Sequence, residues 1–202
     1  MALKRVARYL LEHPALRFEY RGGNASGELE LCVFADSDWA GCKETRRSRS
    51  GGLAVLAGGP VKSWSNRQAS PALSSGEAEY YAVVKAAAEA LGLQALAADL
   101  GWQVKVQTRV DGSAAQAMAS RLGLGRVRHM EVRYLWVQDA VNKKRFVIRK
   151  VSGKINPADV LTKPLTQVAM QALLLPCGLS FGPPRELKAR GGGGVSGFRP
   201  PK

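Results

Sequence analysis

Residues 28–36, ELELCVFAD, decide the reading of this chain. Leu29, Leu31 and Val33 alternate with Glu30, Cys32 and Phe34, which is the period of a strand, and the run closes on Asp36. Working outward, Gly51-Gly52, LAVLA, Gly58-Gly59-Pro60 and VKSWS read as two strands around a turn, so a three-strand meander is expected. Ser74 followed three residues later by Glu77 matches a capping box. Ala, Val and Leu then dominate residues 78–100, the longest expected helix, with Gly92 its one weak point. A fourth strand is expected over 103–110, where Val104, Val106, Thr108 and Val110 alternate with polar neighbours, and a helix after Asp111-Gly112-Ser113 to about residue 121. Further helices are expected over 127–141 and 166–175. A fifth strand is expected over 145–151, with Phe146, Ile148 and Lys150 on one face. Asn156 as N-cap with Pro157 at the first helical position opens a helix that places Asp159 in its first turn.

Upstream, residues 3–11 carry helical apolar spacing (Leu3, Val6, Ala7, Leu10, Leu11) that His13-Pro14 stops, and RGGNASG at 21–27 has no periodicity. The Gly- and Pro-rich stretch from Gly182 holds too little apolar surface to offset the entropy of ordering it, and disorder is expected there. The chain therefore divides into residues 1–27, a domain at 28–165, a C-terminal helix and extension at 166–181, and a basic tail at 182–202.

The 202 residues hold 30 Lys plus Arg against 16 Asp plus Glu, a net charge of +14. Five basic and one acidic residue lie in the tail, which leaves +10 on the rest. Such a balance favours a polyanion, nucleic acid before an anionic membrane, through phosphate contacts and counterion release. No apolar run approaches the roughly 18 residues of a membrane span, and no secretory leader opens the chain. An intracellular protein, cytoplasmic or nuclear, is expected. The opening MALKRVARYLLEH is basic and amphipathic like a transit peptide but lacks its serines. Cys32, Cys42 and Cys177 are odd in number without CxxC spacing, so reduced structural cysteines are expected.

In so basic a chain the placement of the acids is informative. Asp36 and Asp111 each close a strand, Glu79 lies in the first two turns of the long helix, and Asp159 opens a helix after the fifth strand. Such ends can converge at one sheet edge. Phosphodiester hydrolysis needs an activated water and charge relief on the leaving oxygen, which two metal ions about 4 Å apart supply, and hard divalent ions want carboxylate oxygens. Each acid also has a plainer reading. Asp38 competes with Asp36 for the strand end; Glu79 and Glu77 are equally readable as solvated carboxylates near a helix N-terminus, Asp111 as a cap and Asp159 as a dipole-stabilising charge. Lys43, Arg46, Arg47 and Arg49 form a charge run, as a solvated surface or as phosphate contacts. Arg126, Arg128 and His129 form a basic loop for substrate backbone or structure, with no second ligand at zinc spacing near His129. Trp39, Trp64, Trp102 and Trp136 are scattered, which favours core packing for most over a base-stacking platform.

The motifs FADSDWAGCKETRRSRSGG, SWSNRQASPALSSGEAEYYAV, VDGSAAQAMA, RVRHMEVRYLWVQDAV and KINPADVLTKPL, in this order, resemble the RNase H domain of copia-type LTR retrotransposon Pol polyproteins. The likeness covers about residues 3–179. It implies an RNase H-like fold, a mixed five-stranded sheet flanked by helices, with Asp36, Glu79, Asp111 and Asp159 as catalytic metal-binding carboxylates. It implies Mg2+, with Mn2+ as substitute, and cleavage of the RNA strand of an RNA–DNA hybrid, read through phosphates and 2′-hydroxyls. Residues 3–16 are similar to the end of the reverse-transcriptase region, an expected partner in the same polyprotein. The sequence departs from the family at Gly76 (usually Thr), Gly112-Ser113 (commonly Asn-Gln) and Leu135 (usually His), and residues 152–157 hold no histidine of the kind some cellular relatives of the fold carry just before the last aspartate, only Lys154. Two rival readings are a catalytically inactive nucleic-acid-binding remnant of such a polyprotein and a DNA-cutting enzyme on the same fold.

Overall fold

Alternation over the opening stretch does produce a strand, and the sheet grows around it. The protein was analysed as a computed structural model, in which residues 2–20, 29–123, 125 and 132–181 are described. The stretch at 21–27, the start of the helix expected over 127–141, Arg126, Arg128 and His129, and the tail from 182 lie outside the described residues. The strands are β1 (Leu16–Phe18), β2 (Leu29–Ser37), β3 (Arg49–Leu56), β4 (Gly59–Arg67), β5 (Val104–Val110), β6 (Val147–Lys150) and β7 (Leu179–Phe181). The α-helices are α1 (Ala2–Glu12), α2 (Ser75–Asp99), α3 (Ser113–Ser120), α4 (Trp136–Asn142) and α5 (Gln167–Leu174).

Five strands form one mixed sheet in the order β4-β3-β2-β5-β6. The first three are the expected antiparallel meander, while β5 runs parallel to β2 and β6 parallel to β5. The α/β architecture implied by the resemblance, a mixed five-stranded sheet flanked by helices, is thus the one observed. The hairpin turn falls at Ala57-Gly58, both at positive φ, so Gly59 and Pro60 begin β4 instead of forming the turn.

The long helix α2 lies against β2, β3 and β5 and buries Ala78, Tyr80, Val83, Ala86, Ala87 and Ala90 on Leu31, Val33 and Val106. Small residues let the helix approach the sheet, and Tyr80, fully buried, satisfies its hydroxyl by donating to the Tyr134 carbonyl at 2.9 Å. By length and composition alone α2 is apolar enough to cross a membrane, unlike what the sequence reading allowed for. Its buried face gives it the role of a core helix. The opposite face of β2, carrying Cys32 and Phe34, lines a cavity with Leu173 and Cys177.

Several elements differ from expectation. β1 and β7 pair antiparallel as a separate two-stranded sheet, Leu16 opposite Phe181, which ties the N-terminal segment to the residues after α5. The helix expected after Asn156 is a 3-10 helix, Pro157–Leu161, and among the described residues the helix expected over 127–141 is a 3-10 turn, Val132–Tyr134, followed by α4. Of the tryptophans, Trp64 is buried and Trp136 packs half-buried against the core, but Trp39 and Trp102 are exposed.

Candidate metal and nucleic-acid site

Parallel pairing of β2 and β5 sets their C-terminal ends side by side. Their register places Phe34 opposite Arg109, and two residues further on come Asp36 and Asp111. Asp36 is buried at 4% exposure. The third acid, Asp159, arrives on the 3-10 helix Pro157–Leu161, which Asn156 fastens to the sheet. The fully buried Asn156 amide donates to the Ala35 carbonyl at 3.0 Å, and its oxygen accepts the Ala158 N–H at 3.2 Å. Gly51, opposite Asp36 on β3, makes the approach possible. A Cβ there would stand 2.6 Å from Thr162 Cγ2, 2.9 Å from Leu161 Cβ and 3.2 Å from the Ala158 carbonyl.

As a result Asp36, Asp111 and Asp159 each present a carboxylate oxygen within 4.8 Å of the others. Oxygen ligands on one divalent ion, at about 2.1–2.5 Å each, lie at most about 4–5 Å apart, so the three aspartates have the donor type and spacing for such an ion.

Glu79 stands at the margin of this group rather than among the three. Its Oε2 lies only 1.5 Å from where a Cβ on Gly112 would be, so the carboxylate rests in the space that the glycine leaves open. It still senses the cluster: burial, then the charges of Asp111 and Asp36, raise its pKa above the ordinary glutamate value, against a lowering by Lys163. Gly112 is one of the departures noted in the sequence, and here it sets where Glu79 sits.

Two neighbouring acids are occupied elsewhere. Asp38 turns into the loop after β2, accepting the Arg49 N–H at 2.5 Å and lying against Gly41. Glu77 is buried, contrary to a solvated reading. It accepts the Tyr81 hydroxyl at 2.6 Å and the Leu73 N–H at 3.0 Å, while its own N–H caps onto Ser74 Oγ at 3.2 Å. This is the expected capping box with its return bond shifted one residue upstream.

Sequence reasoning missed Thr162 and Lys163. The Thr162 hydroxyl donates to Asp36 Oδ2. The Lys163 ammonium sits 3.0 Å from Asp159 Oδ1 and 3.3 Å from Asp36 Oδ2, bridging the two acids. Burial raises the pKa of Asp36, and Asp159 and Asp111 add to this; the Thr162 hydrogen bond and Lys163 oppose it, leaving the carboxyl above its usual range. Burial alone would lower the Lys163 pKa, but its hydrogen bond to Asp159 and the charges of Asp36 and Asp159 carry it above the ordinary lysine value. The available signal was spacing: Lys163 follows Asp159 by four residues, within reach across one turn.

Of the basic candidates, Lys43, Arg46 and Arg47 lie on the loop between β2 and β3, closed by Arg46 N–H to the Cys42 carbonyl at 2.8 Å. Lys43 and Arg46 are exposed and Arg47 half-buried. Arg49 opens β3 and reaches the Ser65 carbonyl at 3.3 Å.

The chain is 30% identical over 186 residues to the retrovirus-related Pol polyprotein from transposon RE1 of Arabidopsis thaliana, an alignment covering 91% of this chain and 12% of that protein. It is 33% identical over 132 residues, 64% of this chain and 10% of the relative, to the Pol polyprotein from transposon TNT 1-94 of Nicotiana tabacum. A third such relative, the retrovirus-related Pol polyprotein from transposon RE2 of Arabidopsis thaliana, is 31% identical over 186 residues, 91% of this chain and 13% of that protein. The chain thus spans about an eighth or less of the length of these Pol relatives. Among solved structures it is similar to RNase H1 of the archaeon Halobacterium salinarum NRC-1, 19% identical with a TM-score of 0.44, over 65% of this chain and 93% of that one. No protein-family profile matches the chain.

Proposed function

We propose that this chain is a ribonuclease H-type endonuclease that hydrolyses the RNA strand of RNA–DNA hybrids in retrotransposon reverse transcription. The observation that carries the reading is the meeting of Asp36, Asp111 and Asp159 within 4.8 Å at the end of the parallel strand pair, with Glu79 at its margin. Asp36, Asp111 and Asp159, with Glu79 turned inward from Gly112, would hold two divalent ions, Mg2+ or Mn2+. Such ions would supply an activated water and charge relief on the leaving 3′ oxygen.

The protein's own contribution is rigidity and charge. Asn156 and Gly51 fix the 3-10 helix on the sheet, so Asp159 is held where it can share an ion with Asp36. Thr162 orients the Asp36 carboxylate from the same segment. Lys43, Arg46, Arg47 and Arg49, on the loop and strand that follow Asp36, are placed to take phosphates of the hybrid, and the net charge of +14 supports such binding. Arg126, Arg128 and His129 are assigned to the same backbone on their motif alone. α1 exposes Leu3, Val6, Leu10 and Leu11, a stripe suited to packing on the reverse-transcriptase region of the same polyprotein, and an intracellular site of action follows from that role.

The test is cleavage of an end-labelled RNA–DNA hybrid in Mg2+, with a DNA duplex as control. RNA cutting by the wild-type chain and none of the duplex is expected. Hybrid binding without metal-dependent cutting would instead support an inactive remnant, and cutting of the duplex a DNA nuclease.

A further inference from the structure

The carboxylate cluster already holds a cation, and it is part of the chain. Three carboxylates whose oxygens lie within 4.8 Å of one another repel when ionised, and Asp36 is nearly excluded from water that would screen it. The Lys163 ammonium stands 3.0 Å from Asp159 Oδ1 and 3.3 and 3.4 Å from the two oxygens of Asp36. It therefore contacts two of the three acids at once.

We propose that Lys163 is a resident counter-cation of the metal centre: it holds Asp36 and Asp159 together in the metal-free protein, and its ammonium is displaced when a divalent ion enters. The inference rests on the metal-dependent reading above. A monovalent ammonium and a divalent ion compete for the same lone pairs, and the ion, with the higher charge density, wins at sufficient concentration. Displacement is sterically open. The Lys163 side chain is 40% exposed, and its flexible four-carbon stem lets the ammonium swing to solvent while Pro164 and the backbone stay fixed. The Thr162 hydroxyl, on a short side chain, remains on Asp36 through the exchange. Two properties follow: the acids stay close together before metal arrives, and metal affinity is lower than the three aspartates alone would give.

A merely structural lysine would leave metal affinity unchanged or weaken it on removal, whereas a competing cation makes removal tighten it. The test is calorimetric titration of Mn2+ and Mg2+ into the wild-type chain, Lys163→Gln and Lys163→Arg at matched ionic strength. For a partly exposed ion pair shared between two carboxylates, Lys163→Gln is expected to bind metal about three- to tenfold more tightly. It is also expected to melt at a lower temperature than wild type without metal, whereas Lys163→Arg should bind metal like the wild type. Should Lys163→Gln fail to fold without metal, the wild-type chain still decides the matter by NMR of 13C-labelled lysine. The Lys163 Cε signal is expected to shift and sharpen as Mg2+ saturates, and an unmoved signal would overturn the proposal. Equal or weaker metal binding by Lys163→Gln beside a metal-binding wild type would overturn the role of Lys163 alone. Absence of metal binding by every variant would overturn it together with the nuclease reading.

Discussion

Asn156→Ala tests how the third aspartate is held. The Asn156 side chain is fully buried and makes two bonds, one to the Ala35 carbonyl and one from the Ala158 N–H. Loss of the cap costs about 0.5–2 kcal/mol, and loss of a buried bond that leaves its partner desolvated about 1–3 kcal/mol. Together they predict a destabilisation of about 1.5–5 kcal/mol, read from urea unfolding followed by circular dichroism. Asn156→Asp separates the two contributions. Aspartate is as good a cap as asparagine, so a cap-only role predicts little change. It cannot donate to Ala35, however, and it adds a negative charge beside the acids, so a loss as large as that of the alanine variant is expected. The same variants should lose metal affinity, because Asp159 rides on the freed 3-10 helix. Stability of Asn156→Asp within about 0.5 kcal/mol of wild type would refute the reasoning.

Gly51→Val would drive its side chain into Thr162, Leu161 and the Ala158 carbonyl; overpacking of this kind costs about 1–3 kcal/mol, and hybrid cleavage should fall with stability, an intact activity showing that the segment can give way. Asp36 has a raised pKa in the folded protein, so the folded state holds its proton longer than the unfolded one. Its stabilisation is full at low pH and is lost as pH climbs through the raised value; the stability advantage of Asp36→Asn over metal-free wild type should therefore grow from about pH 4 toward neutrality. A pH-independent difference in melting temperature would contradict that sign. Replacing Arg46 and Arg47 by Gln should weaken hybrid binding and flatten its logarithmic salt dependence by about 0.9 for each phosphate no longer neutralised, measured by fluorescence anisotropy; an unchanged slope would remove the loop from the interface.

What the sequence made legible is what short-range physics controls. Alternation gave β2 and β5, the Ser74 box gave the start of α2, and Thr166 caps α5 by accepting the Ala169 N–H at 3.3 Å. The acids at element ends were visible too, because strand ends and first turns are local features. What stayed hidden depends on residues distant in the chain. β1 and β7 are three residues each, too short for a periodic signal, and exist because they pair with one another. Asn156 reads locally as a cap, and it is one, but its second role requires Ala35, 121 residues away. Lys163 reads as a surface lysine until the sheet brings Asp36 beneath it. Trp39 shows the converse: its indole donates to the Ala72 carbonyl at 3.2 Å while the ring remains exposed, so a residue type expected to pack in the core in most of its four positions lies here on the surface. Glu77 and Glu79, two residues apart on one helix, differ because at 3.6 residues per turn such positions point to nearly opposite sides, one buried against Tyr81 and the other at the carboxylate cluster.

The central claim is that these carboxylates cut RNA, and the most direct measurement compares the wild-type chain with Asp111→Asn on a labelled RNA–DNA hybrid in Mg2+. Asp111 is half-exposed and follows the end of a strand, so the substitution keeps size and fold while removing one charge from the cluster. Metal-dependent RNA cleavage by wild type, reduced to background in Asp111→Asn at equal hybrid affinity, is the predicted result. Cleavage surviving in Asp111→Asn, or none by the wild type at any Mg2+ or Mn2+ concentration, would contradict it.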